Sequence, residues 1–113
     1  MSNPCLFCRI INGEIPAKKL YEDDAVFAFW DISPQAPMHF LVIPKKHLSG
    51  PGEMSSEDEA LIGKVISIGA QLARENGVEQ CRLVMNNGAD AGQTVFHLHL
   101  HVLGGRALSW PPG

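Results

Sequence analysis

No stretch of this 113-residue chain approaches the roughly 18 consecutive apolar residues that a membrane-spanning helix needs, so no membrane partner is expected. Excess positive charge is also missing: the formal net charge is -3, which leaves no basic surface for nucleic acid, and an anionic substrate must be held by local groups. There is no repeat, no low-complexity tract and no linker long enough to separate domains, so one domain over residues 1–113 is expected. The start, Met1-Ser2-Asn3-Pro4, has neither a basic nor an apolar leader segment, and the expected location is cytoplasmic. Cysteine is scarce and odd in number, three residues, which fits metal or redox use better than a structural disulfide. Two of them form Cys5-x-x-Cys8, a spacing open to zinc, to redox chemistry or to a pair of reduced core thiols. Cys81 lies in an apolar stretch and reads as a small core residue.

What is present is an alternation of short apolar runs and turns around one long helix. Leu6 to Ile11, stopped by Asn12-Gly13, predicts a short helix, and Pro16 then sets an extended connection. Ala25 to Trp30 and Phe40 to Ile43 predict strands, the second apolar enough to be buried on both faces. Ser56-Glu57-Asp58-Glu59 has capping-box spacing, and Leu61, Val65, Ile68 and Leu72 recur at helical intervals until Asn76-Gly77. Cys81 to Met85 and Val95 to Leu103 predict two more strands. The fold class is α+β, an antiparallel sheet covered by one main helix.

The last strand holds three of the five histidines, as His97-Leu98-His99-Leu100-His101-Val102. Successive strand side chains alternate faces, so the three imidazoles are expected on one face and the apolar residues on the other. Histidines at this spacing can also bind zinc with an open position, so a catalytic metal is a competing reading. The preceding loop, Gly88 to Thr94, favours phosphoryl chemistry, because it offers backbone N–H groups with little steric cover, Gln93, and the Thr94 hydroxyl. Gly88 and Gly92 are equally readable as ordinary turn residues. Crowded imidazoles disfavour one another's charge, which keeps a ring neutral and its lone pair able to attack. On geometry the middle ring, His99, is the best nucleophile, with its neighbours donating to phosphate oxygens or moving the leaving group's proton.

With these residues the chain resembles the histidine triad superfamily, in its branch of histidine triad nucleotide-binding proteins. The likeness also takes in Glu14-Ile15-Pro16-Ala17, Phe29 to Pro37, His39 to His47 and Trp110 to Gly113. It implies a five-stranded antiparallel sheet with one long helix and a short N-terminal helix, continued across a homodimer whose C-terminal tails approach the partner's site. It implies a purine nucleoside phosphoramidase that splits AMP or GMP from amines, including adenosine 5'-phosphoramidate and aminoacyl-adenylate-like conjugates, through a nucleotidyl-histidine. Carried over by position, His99 is the nucleophile and His101 binds the phosphate. His39 backs up the nucleophile and sets its tautomer. Gly92, Gln93 and Thr94 form the phosphate loop, where many relatives have serine in place of Thr94. Asp31, which also suits a turn cap, binds the ribose; Asn86 lies beside the phosphate; and Phe7, Ile10, Phe29 and Ile32 line the purine slot. Some bacterial relatives bind structural zinc through two such cysteines and two histidines, here Cys5, Cys8, His47 and His97. Other relatives lack the cysteines, so no metal is implied for catalysis. The alternatives are a nucleotide-binding regulatory module acting through partners, and a dinucleoside polyphosphate hydrolase or nucleotidylyl transferase.

Overall fold

The computed structural model describes residues 4–113, so the reading of Met1-Ser2-Asn3 lies outside the described residues. Seven elements order the chain: α1 (Leu6–Ile11), β1 (Lys19–Glu22), β2 (Val26–Trp30), β3 (Met38–Pro44), α2 (Glu59–Glu75), β4 (Cys81–Val84) and β5 (Leu100–Gly104), with two 3₁₀ turns before α2 and one before β5. The strands form one antiparallel sheet in the order β1-β2-β3-β5-β4. Among the described residues no helix is long and apolar enough to cross a membrane.

The centre of the sheet follows from strand periodicity. Every residue of β3 is buried, because helices cover both faces. Phe40 and Val42 point toward α2 and meet Val65, Ile68, Leu72, Leu100 and Val102. Leu41 and Ile43 point the other way and pack with Phe27, Phe29, Phe7 and Ile10 of the α1 side. Gly69 lets α2 lie close to the sheet: a Cβ there would stand 3.0 Å from Leu100 Cδ2 and 3.2 Å from Val102 Cγ2. Gly69→Val is therefore expected to lower stability by about 1–3 kcal/mol through overpacking, read as an earlier urea midpoint.

Both helices end as the Asn-Gly pairs predict. Gly13 and Gly77 take φ of +78° and +82°. In each case the N–H of the following residue bonds five residues back, Glu14 to the Arg9 carbonyl and Val78 to that of Ala73, which satisfies carbonyls the helix leaves open.

Three sequence expectations shift. The capping box is Ser55 with Asp58, not Ser56 with Glu59; the Asp58 carboxylate accepts from the Ser55 N–H at 3.0 Å and pairs with Lys46 at 2.6 Å, and the helix opens after a 3₁₀ turn. The histidine strand begins at Leu100 rather than Val95. Its neighbour β3 ends at Pro44, which has no N–H for a ladder, and β4 leaves the sheet after Val84, so residues 95–99 have no partner strand. Lastly, the connection after Pro16 contains a fifth strand, β1, whose register slips between Lys19 and Tyr21. Such a short, bulged strand, with Glu22 paired to Lys19 and Lys45, is a protected sheet edge. Cys81 is half-buried on β4 and packs against the α2-side core.

Candidate functional site

Although only His101 of the triad lies in the ladder, the alternation persists through the irregular segment, leaving Leu98, Leu100 and Val102 buried opposite the histidines. His99 is 7% exposed, held edge-on by Phe7 at 5.1 Å between ring centroids, and lies 5.0 Å from the His101 ring. Its Nδ1 is 2.7 Å from the His97 carbonyl oxygen. A carbonyl only accepts, so Nδ1 carries the hydrogen, and in the neutral ring Nε2 is a bare lone pair.

The neighbouring ring is held in the opposite tautomer. The Gln35 N–H donates to His39 Nδ1 at 3.0 Å, which leaves the His39 hydrogen on Nε2, 3.0 Å from His101 Nδ1. His101 Nδ1 therefore accepts, and its hydrogen sits on Nε2. The His39 ring thus backs up His101, not His99 as the resemblance implied; the His97 carbonyl sets the His99 tautomer. Asp31 Oδ2 lies 3.4 Å from His39 Nε2, while its Oδ1 caps the Ser33 N–H at 2.8 Å. One oxygen of Asp31 thus serves the turn and the other faces the histidines.

Burial is the main cause holding these rings neutral. It lowers His101 to about 4, with repulsion from His99 and His39 adding to it and Asp31 opposing. It also lowers His99, against the His97 carbonyl and Asp31, and His39, against Asp31. Because the unfolded chain then takes up protons first as pH drops below 6.5, the folded state loses stability from there down to about 4. A urea midpoint falling steadily between pH 7 and 5, with a shallower slope in His101→Gln, is the expected result.

Above the two rings opens a cleft of about 540 Å³, within the range of small-molecule sites. Phe7, Ile10, Phe29, Asp31, Ile32, Asn86, Gly92, Thr94, His99 and His101 all line it. So do Ile15, Pro16 and Ala17, which lie in a stretch that carries the family likeness but that the sequence alone does not assign to the site. A wider groove of about 710 Å³ shares Leu6, Thr94 and Val95 but holds neither His99 nor His101.

The phosphate-loop expectation needs correction. The N–H groups of Ala91, Gly92 and Gln93 bond inward to the carbonyls of Gly88 and Ala89, closing the 3₁₀ turn. Gln93 is 3% exposed and does not line the cleft. Its amide accepts from the Gly88 N–H and donates to the Ser49 and Val95 carbonyls, bracing the loop against the segment after β3. Thr94 is the loop residue whose N–H and hydroxyl have no hydrogen-bond partner among the described residues.

Beside the cleft, the atoms of Cys5, Cys8, His47 and His97 that could hold a metal ion all lie within 4.8 Å of one another. Cys5 Sγ and Cys8 Sγ are 3.3 and 3.5 Å from His97 Nδ1, Cys8 Sγ is 3.4 Å from His47 Nδ1, and the two Nδ1 atoms are 3.1 Å apart. A tetrahedral zinc ion with bonds of about 2.0–2.3 Å separates its donors by about 3.3–3.8 Å, so the three sulfur–nitrogen distances fit as they stand and the two Nδ1 atoms need to part by only a few tenths of an ångström. His97 Nε2 donates to the Pro44 carbonyl at 2.8 Å, which aims the Nδ1 lone pair at the sulfurs. Without a cation, burial and then the Cys5 sulfur push the Cys8 thiol up to about 11. Neither cysteine is in a disulfide, and both are half-buried. Asp31, His39 and His101 form a second close group, but the nitrogen that His39 offers carries its hydrogen, so that group suits proton handling better than a cation. Among the described residues the three triad histidines do not group as a metal site, against the catalytic-metal reading.

Residues 12–108 match the HIT domain family. The chain is 53% identical to an uncharacterized HIT-like protein of Synechocystis and 49% identical to one of Synechococcus elongatus, each alignment covering 100% of both chains. Among solved structures it is similar to the HIT family hydrolase of Legionella pneumophila, at 46% identity and TM-score 0.94 over 96% of this chain and 99% of that one. It is similar too to a histidine triad protein of Clostridium difficile, at 41% identity and TM-score 0.90 over 96% and 97%.

Proposed function

The chain belongs to the HIT domain family, and from that premise we propose that it is a purine nucleoside phosphoramidase. One observation carries the reading: adjacent neutral imidazoles of opposite tautomer, a bare Nε2 on His99 and an Nε2–H on His101, line one cleft with an apolar far end.

The purine occupies the slot of Phe7, Ile10, Phe29 and Ile32, and Asp31 Oδ2, the oxygen the turn does not use, accepts from ribose hydroxyls. The phosphate lies against Thr94, Asn86 and the Gly92 backbone. His99 Nε2 attacks phosphorus, and the charge that develops on its ring is stabilised by the Nδ1–H bond to the His97 carbonyl. As the P–N bond breaks, the leaving nitrogen takes a proton through His101 Nε2 and departs as the amine. Water then gives a proton to the emptied His101 Nε2 as its oxygen bonds phosphorus and the P–Nε2 bond breaks, releasing the nucleotide and restoring both rings. A hydrolase of this class agrees with the hydrolase named among the similar structures.

Zinc on Cys5, Cys8, His47 and His97 supplies no chemistry to this sequence of steps; it holds the N-terminal segment in place. A homodimer is the proposed assembly, joined at β4, because that edge lacks the bulge and the Glu22 ion pairs of β1 and exposes Leu83. Arg82 of β4 donates to the Ser109 carbonyl at 2.8 Å and so anchors the tail that carries Trp110, 83% exposed and free to meet a partner.

Incubation with adenosine 5'-phosphoramidate tests the activity. AMP and ammonia are the expected products, at rates well above those with dinucleoside polyphosphates. Binding of AMP without cleavage of any amine conjugate would reduce the site to a nucleotide-binding module.

A further inference from the structure

We propose that metal binding at Cys5, Cys8, His47 and His97 and nucleotide binding in the cleft are coupled, each tightening the other, with α1 as the coupling element; this rests on the nucleotide reading of the cleft. The six residues of α1 are too few to hold a helix by themselves, so its position depends on what it docks against. Two sets of contacts hold it, and they lie on opposite sides of the same turn.

One set is apolar. Phe7 and Ile10 are 5% and 9% exposed, and both are walls of the cleft. The other set is the sulfurs: Cys5 caps the helix by accepting from the Cys8 N–H at 3.4 Å, and both sulfurs converge on His97. Phe7 sits between them, its ring centroid 6.0 Å from that of His97 and 5.1 Å from that of His99. The aromatic ring that borders the metal donors is thus the one that packs on the candidate nucleophile and closes the base slot.

A cation that binds only when the sulfurs meet the two histidines favours the docked position of α1. The nucleotide needs the same position, since Phe7 and Ile10 complete its slot. Two ligands that select one state help each other by an equal factor. Ordering the short helix once serves both events, and the second ligand to arrive does not repeat that entropy cost.

The test uses the full chain in zinc-loaded and chelator-treated forms. The Kd of AMP is measured by calorimetry for each form, and the Kd of zinc by competition with a chromophoric chelator, with and without saturating AMP. About tenfold tighter AMP binding in the loaded form is expected, the same factor in zinc affinity when AMP is present, and slower amide exchange over residues 6–11 with zinc. Phe7→Ala should keep stoichiometric zinc yet bring the coupling factor close to one, and the double variant Cys5→Ser, Cys8→Ser should bind AMP as the chelated protein does, whatever the zinc concentration. Equal AMP affinity in the two forms, or no stoichiometric zinc, overturns the coupling and leaves the nucleotide site standing. No AMP binding by the loaded protein removes both.

Discussion

Replacing His99 by alanine is expected to end AMP release from adenosine 5'-phosphoramidate, with kcat lowered by at least about 10³-fold, as for loss of a covalent nucleophile. The ring is fixed in one tautomer by the His97 carbonyl, and among the triad its Nε2 is the atom both unprotonated and free of a protein partner. His97 has Nδ1 turned to the sulfurs and Nε2 on Pro44, so no lone pair of that ring reaches the cleft. The assay is steady-state turnover, with circular dichroism and the unfolding midpoint establishing that the variant is folded. Wild type quenched in alkali should carry the nucleotidyl mass on the peptide containing His99. A folded variant with turnover within tenfold of wild type would place the nucleophile elsewhere.

His101→Ala is expected to cost about 10²–10³-fold in kcat for conjugates of ordinary alkyl amines, the scale of a lost general acid. The chain Gln35 N–H to His39, His39 Nε2–H to His101, and His101 Nε2–H to the cleft delivers a hydrogen where the leaving nitrogen would be. The loss should shrink as the leaving group becomes more acidic and nearly vanish for an aryl oxide that departs without a proton. A deficit equal for good and poor leaving groups would mean that His101 binds phosphate rather than moving a proton. His39→Gln should show the same dependence, weakened, because it acts only through the His101 tautomer.

Much of the fold was legible because its signals are local. The two Asn-Gly stops work through backbone freedom at a single glycine, and the burial of β3 on both faces follows from its run Phe40 to Ile43, which has no polar position. The shifts arose where two signals compete or where neighbours decide. Asp58 reaches the Ser55 N–H and Lys46 at once, which moves the cap by one residue. The histidine strand has the right alternation over its whole length, but a ladder needs a partner, and Pro44 ends the partner first. β1 has only four residues and a bulge, too little pattern for its strand character to stand out.

At the candidate site, the sequence by itself determined which residue types are available and on which side they fall: histidines at every second position, a glycine-bearing loop before them, two cysteines three apart. Those are properties of spacing along one backbone. The His99 tautomer is set locally, by the carbonyl of His97 two residues before it, but tertiary structure decided the roles of the other two rings, because a tautomer depends on the acceptor or donor opposite it, and those partners are Pro44 for His97 and His39 for His101, 53 and 62 residues away in sequence. It also turned Gln93 from a ligand candidate into a brace, since the Ser49 carbonyl that holds its amide is 44 residues distant. Hydrogen-bond directions between segments that meet only on folding are not written in local spacing, and the division of labour among the histidines rests on them.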